Sequence, residues 1–396
     1  MPKERVVLAY SGGLDTSVIL HWLVYQKNYD VIAYSSSIGQ QVFDENLVKK
    51  RAKESGATEI VIEDLKRALA VDYAFKALNA DAIYEDGYML GTAIARPLIA
   101  SGQVSIAKKR GCTALSHGST GKGNDQVRFE LAYKALMPEA KILSPWKDPV
   151  FLKQFSNRRD LLSYAEKNGI SVSSLSKSYS MDDNLLHISH EGGVLEDVGN
   201  SSYPLLIKES KANQSKELKV EFKAGIPSSL VFEDKKISDP VKMFQLLNNL
   251  SHEYCFGIAD IVENRYVGIK SRGVYYQGAM ELFYKAHVAL EATILDKKTF
   301  HHKLTLGREA GKLIYEGKWF SKYLQSLFNY SEMVNKSLDG EVGIIIRPNS
   351  FSVVSRKPRD QKLYAKLKDF GSFSMVNFQP VDSTGFINIA SIEDLW

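Results

Sequence analysis

Nine residues near the N-terminus leave the chain few ways to fold. Ala9-Tyr10-Ser11-Gly12-Gly13-Leu14-Asp15-Thr16-Ser17 follows Val6-Val7-Leu8, an apolar, β-branched run short enough to be a buried strand. Beyond it, Leu14, Val18 and Trp22 with Ile19 and Leu23 repeat at helical spacing. Strand, glycine turn and helix in that order form an anion site. Gly12 and Gly13 open backbone conformations closed to other residues and let a ligand come close. The first turn of the helix offers unpaired N–H groups and a partial positive charge that suit a phosphate. Ser11, Thr16 and Ser17 add hydroxyls, and Asp15 adds a carboxylate able to hold Mg²⁺ or a proton. A plainer reading is a capped turn, with Ser11 or Asp15 as the cap. A serine, two glycines, an aspartate and two further hydroxyls in seven residues favour phosphate. No Lys-Ser/Thr pair follows the second glycine, so this is not a Walker A loop.

The remaining composition narrows the setting. A chain of 396 residues has room for two domains, and 44% hydrophobic with 24% charged residues is ordinary for a soluble enzyme. A net charge of +5 suits anionic substrates and argues only weakly for nucleic acid. Cys112 and Cys255 stand far apart in no Cys-x-x-Cys spacing, which argues against a disulfide framework and a zinc site and suits a reducing cytoplasm. A strand entered by Arg5 leaves no room for a signal peptide. No apolar run approaches the ~18 residues of a membrane span.

Strands at Tyr29 to Tyr34, Glu59 to Glu63, Cys112 to His117 and Ile142-Leu143 alternate with helices, one of them from Ala95 to Arg110. That alternation predicts an α/β fold, a doubly wound parallel sheet with helices on both faces, over residues 1–169. Ligands bind such sheets at the carboxyl ends of the strands, where the Ser-Gly-Gly turn lies. From residue 170 to 396 the pattern becomes α+β. A polar surface loop is expected at Lys208 to Lys219, with strands at Lys219 to Lys223 and Leu230 to Glu233. Helices are expected at Pro240 to Tyr254, Leu282 to Leu295 and Leu304 to Leu327, and a hairpin around Pro348-Asn349.

Three further clusters carry chemistry. In His117 to Arg128, Gly118, Gly121 and Gly123 permit close approach after a strand, Lys122 supplies a mobile charge, and Asn124 and Arg128 share one helix face. Arg128 offers a planar fork for a carboxylate. Ser178 to Ser189 reads alone as a capped loop, and Asp260 to Tyr275 as a charged two-stranded ribbon. Histidines point to no metal site: His287 lies on an apolar helical stripe and His301-His302 reads as a solvated pair.

The first stretch resembles the SGGxDS/T loop of the N-type ATP pyrophosphatases. Together the clusters resemble argininosuccinate synthase, through AYSGGLDTS, IGQ at 38–40, IARP at 94–97, SHGSTGKGNDQVRFE at 116–130, SMDDNL and HIS within 180–189, DIVENR, KSRG, and STGFIN at 383–388. The resemblance implies that ATP is held by Ala9 to Ser17, Ser36 and Gly118. It assigns L-citrulline to Tyr88, Thr92, Asn124, Arg128, Ser180, Ser189, Glu263 and Tyr275, and L-aspartate to Thr120, Asn124 and Asp125. Asp15, Asp125 and Arg128 are then the residues closest to the chemistry. It implies Mg²⁺ held largely by phosphates, no dedicated metal ligands, a cytoplasmic homotetramer, and no nucleic-acid or membrane partner.

The implied reaction has citrulline's ureido oxygen attack the α-phosphorus of ATP, after which aspartate's amine displaces AMP. The chain departs from the family pattern at Ala93, where many members carry serine. It departs again at Cys255 to Asp260, and at Tyr276-Gln277-Gly278, where a glutamate and a proline are usual. Two other readings remain: a tRNA-modifying enzyme of the same superfamily, using the basic Arg347, Arg356-Lys357 and Arg359, or a non-catalytic nucleotide or amino-acid sensor.

Overall fold

A computed structural model describes residues 3–85, 87–121, 123–171, 179–201, 210, 212–360, 379 and 381–394. Five parallel strands form the first sheet: β1 (Arg5–Ala9), β2 (Asp30–Ser37), β3 (Glu59–Asp64), β4 (Ala114–Ser116) and β5 (Lys141–Leu143). Their order is β3-β2-β1-β4-β5, so the connections leave β1 in opposite directions and open a crevice at its carboxyl end. Because β1 is covered on both faces, successive residues serve different cores. Val6 and Leu8 pack with Val18, Ile19, Trp22 and Phe151, whereas Val7 packs with Ile32, Val104, Leu115 and Phe129. This is the doubly wound α/β architecture expected.

Helices α1 (Leu14–Tyr25) and α2 (Glu45–Glu54) follow β1 and β2. After β3, a helical stretch runs from Lys66–Ala68 through a π-helical turn at Leu69–Ala74 to Phe75–Asn79. Next come α3 (Gly91–Arg110), α4 (Asn124–Leu136), α5 (Pro149–Gln154) and α6 (Arg158–Lys167). Helix α3 begins four residues before the expected Ala95, because Leu90 takes a left-handed conformation (φ 62°) that turns the chain into the helix. Asn157 caps α6 through a reciprocal capping box with Asp160.

Two antiparallel sheets make up the second half. One, ordered β11-β12-β7-β6, contains β6 (Ser180–Asn184), β7 (His187–Glu191), β11 (Ile258–Asn264) and β12 (Lys270–Tyr276). The other, ordered β10-β9-β8-β13-β14, contains β8 (Lys216–Lys223), β9 (Ile226–Phe232), β10 (Lys235–Ile237), β13 (Gly340–Arg347) and β14 (Ser350–Pro358). Helices α7 (Pro240–Tyr254), α8 (Gly278–Ile294), α9 (Lys297–Tyr315), α10 (Lys322–Val334) and α11 (Asp382–Asp394) complete it. The large core of this half also takes in Leu69, Phe75, Leu78, Tyr88 and Ile94, so the segment after β3 packs away from the first sheet.

Several expectations need correction. The capped loop at Ser178 to Ser189 is a hairpin of β6 and β7; it carries polar side chains on both faces, so no hydrophobic alternation betrays it. Ser178 and Lys122 lie outside the described residues. The polar loop at Lys208 to Lys219 overlaps β8, whose buried Leu218, Val220 and Phe222 alternate properly; residues 208, 209 and 211 are outside the described set. The single helix Leu304 to Leu327 is two helices, broken at Gly317 (φ +78°). The hairpin around Pro348-Asn349 is present.

Candidate active site

The Ser-Gly-Gly turn leaves β1 at the crevice. Gly12 has φ +74°, and Arg51 donates to its carbonyl at 2.9 Å, fixing the turn from α2. Gly13 is the N-cap of α1, and among the described residues no side chain accepts from the first N–H groups of that helix. Ser11 Oγ accepts from Gly13 N at 3.3 Å, one residue short of the helix, and Asp15 makes no cap bond, so the first N–H groups of α1 carry no side-chain cap. The hydroxyls divide. Ser11 and Thr16 pair at 3.0 Å, part-buried at the turn, while Ser17 is fully buried and tied to the Tyr10 hydroxyl at 2.8 Å. Burial pushes the Asp15 carboxyl above its ordinary range, opposed by the Arg158 guanidinium at the start of α6.

Gly118 brings the second glycine loop against the first, since a Cβ there would lie 2.6 Å from Thr16 Cγ2. Ser36, at the end of β2, is buried, and its carbonyl accepts from Gln40. Like α1, helix α4 starts at a glycine, Gly123, without a side-chain cap, so a second helical positive end faces the crevice. Thr120 lies exposed in the turn before it, Asn124 and Arg128 are buried, and Asp125 is partly buried in the first turn.

Arg128, Asn124 and Glu263 meet at Tyr315, the last residue of α9. Asn124 Nδ2 donates to the Tyr315 hydroxyl at 2.8 Å, and that hydroxyl donates to Glu263 Oε1 at 2.7 Å. Arg128 Nε donates to the Tyr315 carbonyl at 2.9 Å, with its guanidinium 4.9 Å from the tyrosine ring. That carbonyl is free for Arg128 because a helix leaves its final carbonyls unpaired. Gly317 permits the approach: a Cβ there would lie 2.7 Å from Arg128 Cα. Tyr275 donates to Glu263 Oε2 at 3.0 Å and packs on Tyr88 at 4.4 Å, and the Tyr88 hydroxyl accepts from Thr92 N.

A second ring of charge supports these groups. Asp125 accepts from both Arg96 (2.9 Å) and Arg128 (2.8 Å), and Arg96 also reaches Asp182 at 3.0 Å. Thr92 Oγ1 donates to Asp182 at 2.7 Å and lies 2.9 Å from His187 Nε2. Burial pushes the Asp125 and Asp182 carboxyls up, but Arg96, joined by Arg128 at Asp125 and by His187 and Thr92 at Asp182, outweighs it and holds each below the usual range. Glu191 behaves oppositely. Burial and the nearby Glu263 raise it to about 7, despite its 2.9 Å ion pair with Arg265.

Of the residues singled out in the sequence, Tyr88, Thr92, Asn124, Asp125, Arg128, Glu263 and Tyr275 form this one connected group. Ser189 joins it by accepting from Asp182 N, and Ser180 lies exposed on β6 opposite Glu191. Sequence reasoning did not single out Arg96, Asp182, His187, Glu191, Arg265, Arg158 or Tyr315. Arg96, Asp182, His187 and Arg265 lay within quoted motifs. Tyr315 had a weaker signal, the Glu316-Gly317 break two residues beyond it. His287 is indeed a core histidine, fully buried with Asp81 and Glu291, and His301 and His302 are exposed. The basic side chains Arg347, Arg356, Lys357 and Arg359 are exposed, and Lys357 and Arg359 pair with Glu341 and Asp339.

Comparison with known proteins covers nearly the whole chain. Residues 5–171 match the arginosuccinate synthase N-terminal HUP domain, and residues 179–395 match the arginosuccinate synthase C-terminal domain. An argininosuccinate synthase of Thermotoga maritima is 42% identical over 98% of this chain and 96% of its own length. Those of Saccharomyces cerevisiae and Rattus norvegicus are 38% and 39% identical, over 99% and 98% of this chain and 96% of each relative.

Proposed function

Given that this chain belongs to the argininosuccinate synthase family, we propose that it joins L-citrulline to L-aspartate with cleavage of ATP to AMP and pyrophosphate. The observation that carries the reading is the contact of Gly118 with Thr16, which joins the uncapped Ser11–Ser17 turn to the loop leading into Asn124 and Arg128. An anion held at the first glycine turn therefore neighbours the amino-acid groups of α4.

In this proposal the turn grips the departing pyrophosphate through the first N–H groups of α1 and the Ser11 and Thr16 hydroxyls. Ser36 and Gly118 flank the nucleotide. Arg128 takes the citrulline carboxylate, exchanging part of its hold on Asp125, while Glu263, fixed by two tyrosine hydroxyls, takes the ammonium. Thr92 and Ser189 meet citrulline from the opposite wall. Asp125 and Asn124, with Thr120 at the rim, orient aspartate so that its amine reaches the activated ureido carbon. No side chain need become a covalent nucleophile. Rate comes from positioning and from stabilising charge on the leaving group.

Mg²⁺ fits the turn through Asp15, whose part-buried carboxylate, raised by burial, would gain from a cation beside it. When bound, that ion neutralises phosphate charge. The homotetramer and the cytoplasmic setting belong to the same proposal. Helix α11 leaves Phe386, Ile387, Ile389 and Ile392 exposed, which supports burial against another copy. No described helix is long and apolar enough to cross a membrane.

The test is AMP and pyrophosphate release from Mg-ATP with citrulline and aspartate each present or omitted. We expect release to require citrulline, and argininosuccinate to appear only with aspartate. ATP binding without release in the presence of both would instead support the sensor reading.

A further inference from the structure

Residues 81–85 and 87–90 belong to a connection that the rest of the molecule must hold in place. Asp81, Glu85 and Leu90 all have positive φ, at 52°, 51° and 62°, a conformation that side chains resist. The loop delivers Tyr84, stacked on Tyr315 at 3.8 Å, and Tyr88, packed on Tyr275; it then starts α3 with Gly91 and Thr92. At its outer end it is stitched to β11: Tyr84 Oη donates to the Asn264 carbonyl at 2.5 Å, and Asn264 N and Nδ2 both donate to Glu85 Oε1.

Around Tyr88 it is held by the side chain of Gln277. Gln277 is 1% exposed; its Oε1 accepts from Met89 N at 2.9 Å and its Nε2 donates to the Gly87 carbonyl at 2.5 Å. Gln277 N donates to the Gly257 carbonyl, so the residue is itself anchored. It sits two positions after Tyr275, at the N-cap of α8, and the amide brackets Tyr88 on both sides. The side-chain amide thus supplies hydrogen bonds to the buried Met89 N–H and the part-buried Gly87 carbonyl.

We propose that Gln277 is a positioning residue for the amino-acid substrate, clasping the loop so that Tyr88 and Thr92 face Arg128 and Glu263. The clasp fastens the strained loop to the strand that carries Tyr275, so both tyrosines of the pocket move as one. Gln277 itself lies behind Tyr88 and touches no substrate. This proposal rests on the citrulline reading given above.

Two variants test it. Gln277→Met keeps the volume and loses both hydrogen bonds; Gln277→Ala loses volume as well. For Gln277→Met we expect the citrulline KM to rise about tenfold, with the ATP KM unchanged. We also expect faster hydrogen exchange at the Met89 amide in the substrate-free protein. Gln277→Ala should show the same pattern, so that hydrogen bonding rather than packing explains the loss. Faster Met89 exchange with an unchanged citrulline KM would reduce Gln277 to a structural residue and overturn the proposal. Unchanged exchange would overturn it equally, since the clasp would not exist. A wild-type protein that releases no pyrophosphate with citrulline would defeat the functional reading instead. The exchange measurement would still decide whether Gln277 fastens the loop.

Discussion

Two clusters of buried charge in this molecule use the same side-chain types to different ends. In the second half, Lys303 Nζ lies 2.5 Å from Asp81 Oδ2 and 2.6 Å from Glu291 Oε1, with His287 Nδ1 3.1 Å from Asp81 Oδ1; all four side chains are fully buried. Burial raises Asp81, but the Lys303 ammonium and His287 outweigh it and leave that carboxyl low, whereas burial keeps Glu291 high. Asp81, His287 and Glu291 could between them hold a cation, and Lys303 already fills the place. Around Arg96, Asp125, Arg128 and Asp182 the carboxylates remain between a quarter and a third exposed, and the chain of pairs opens toward a crevice. The first cluster is closed to solvent and neutralised by its own Lys303. The second is open, and its charges can be traded for those of a ligand.

That contrast can be broken most forcefully at Lys303. Lys303→Met leaves two buried carboxylates without their cation, and we expect a loss of about 3–5 kcal/mol in urea unfolding. The citrulline KM of the protein that remains folded should not change; a shifted KM with stability intact would show that the closed cluster serves the site after all.

The reverse dissociation is expected at Arg128. Asp125 keeps Arg96 when Arg128 is removed, so Arg128→Ala should cost less stability than Lys303→Met. Its citrulline KM should rise by roughly 10- to 100-fold, the range of a hydrogen bond to a charged group, with ATP binding nearly intact. Unchanged citrulline kinetics would remove Arg128 from the site.

The smallest effect concerns pH. Glu191 titrates at about 7 in the folded protein against 4.5 when unperturbed, so the folded state holds a proton there that the unfolded chain has released. Its contribution is fully present below about pH 4.5 and is lost as pH rises through 7. Glu191→Gln cannot ionise beside Glu263. Its stability relative to wild type, read from urea unfolding at pH 5 and pH 8, should improve at the higher pH. A difference independent of pH would mean that Arg265 neutralises Glu191 and that the open cluster is as well matched as the closed one.

Legibility followed the same division. The parallel sheet could be read because β1 and β2 are apolar runs and the glycines of Ser11 to Ser17 punctuate them. The β6–β7 hairpin could not, because its residues are polar on both faces and erase the alternation that marks a strand. Asn124 and Arg128 were visible as a pair at helical spacing. Their common partner Tyr315 lies 187 residues beyond Arg128, in a helix whose end was hidden inside a longer apolar pattern.

By itself, then, the sequence determined the alternating elements of the parallel sheet, the glycine turn at Ser11 to Ser17 and the pairing of Asn124 with Arg128 on one helix face, because local spacing and backbone freedom decide these. Tertiary structure alone decided which charges complete one another. Lys303 meets Asp81 across 222 residues, Tyr315 meets Glu263 across 52, and Gln277 meets Met89 across 188. Electrostatic and hydrogen-bond partners are chosen by distance in space, and no periodicity along the chain encodes that distance.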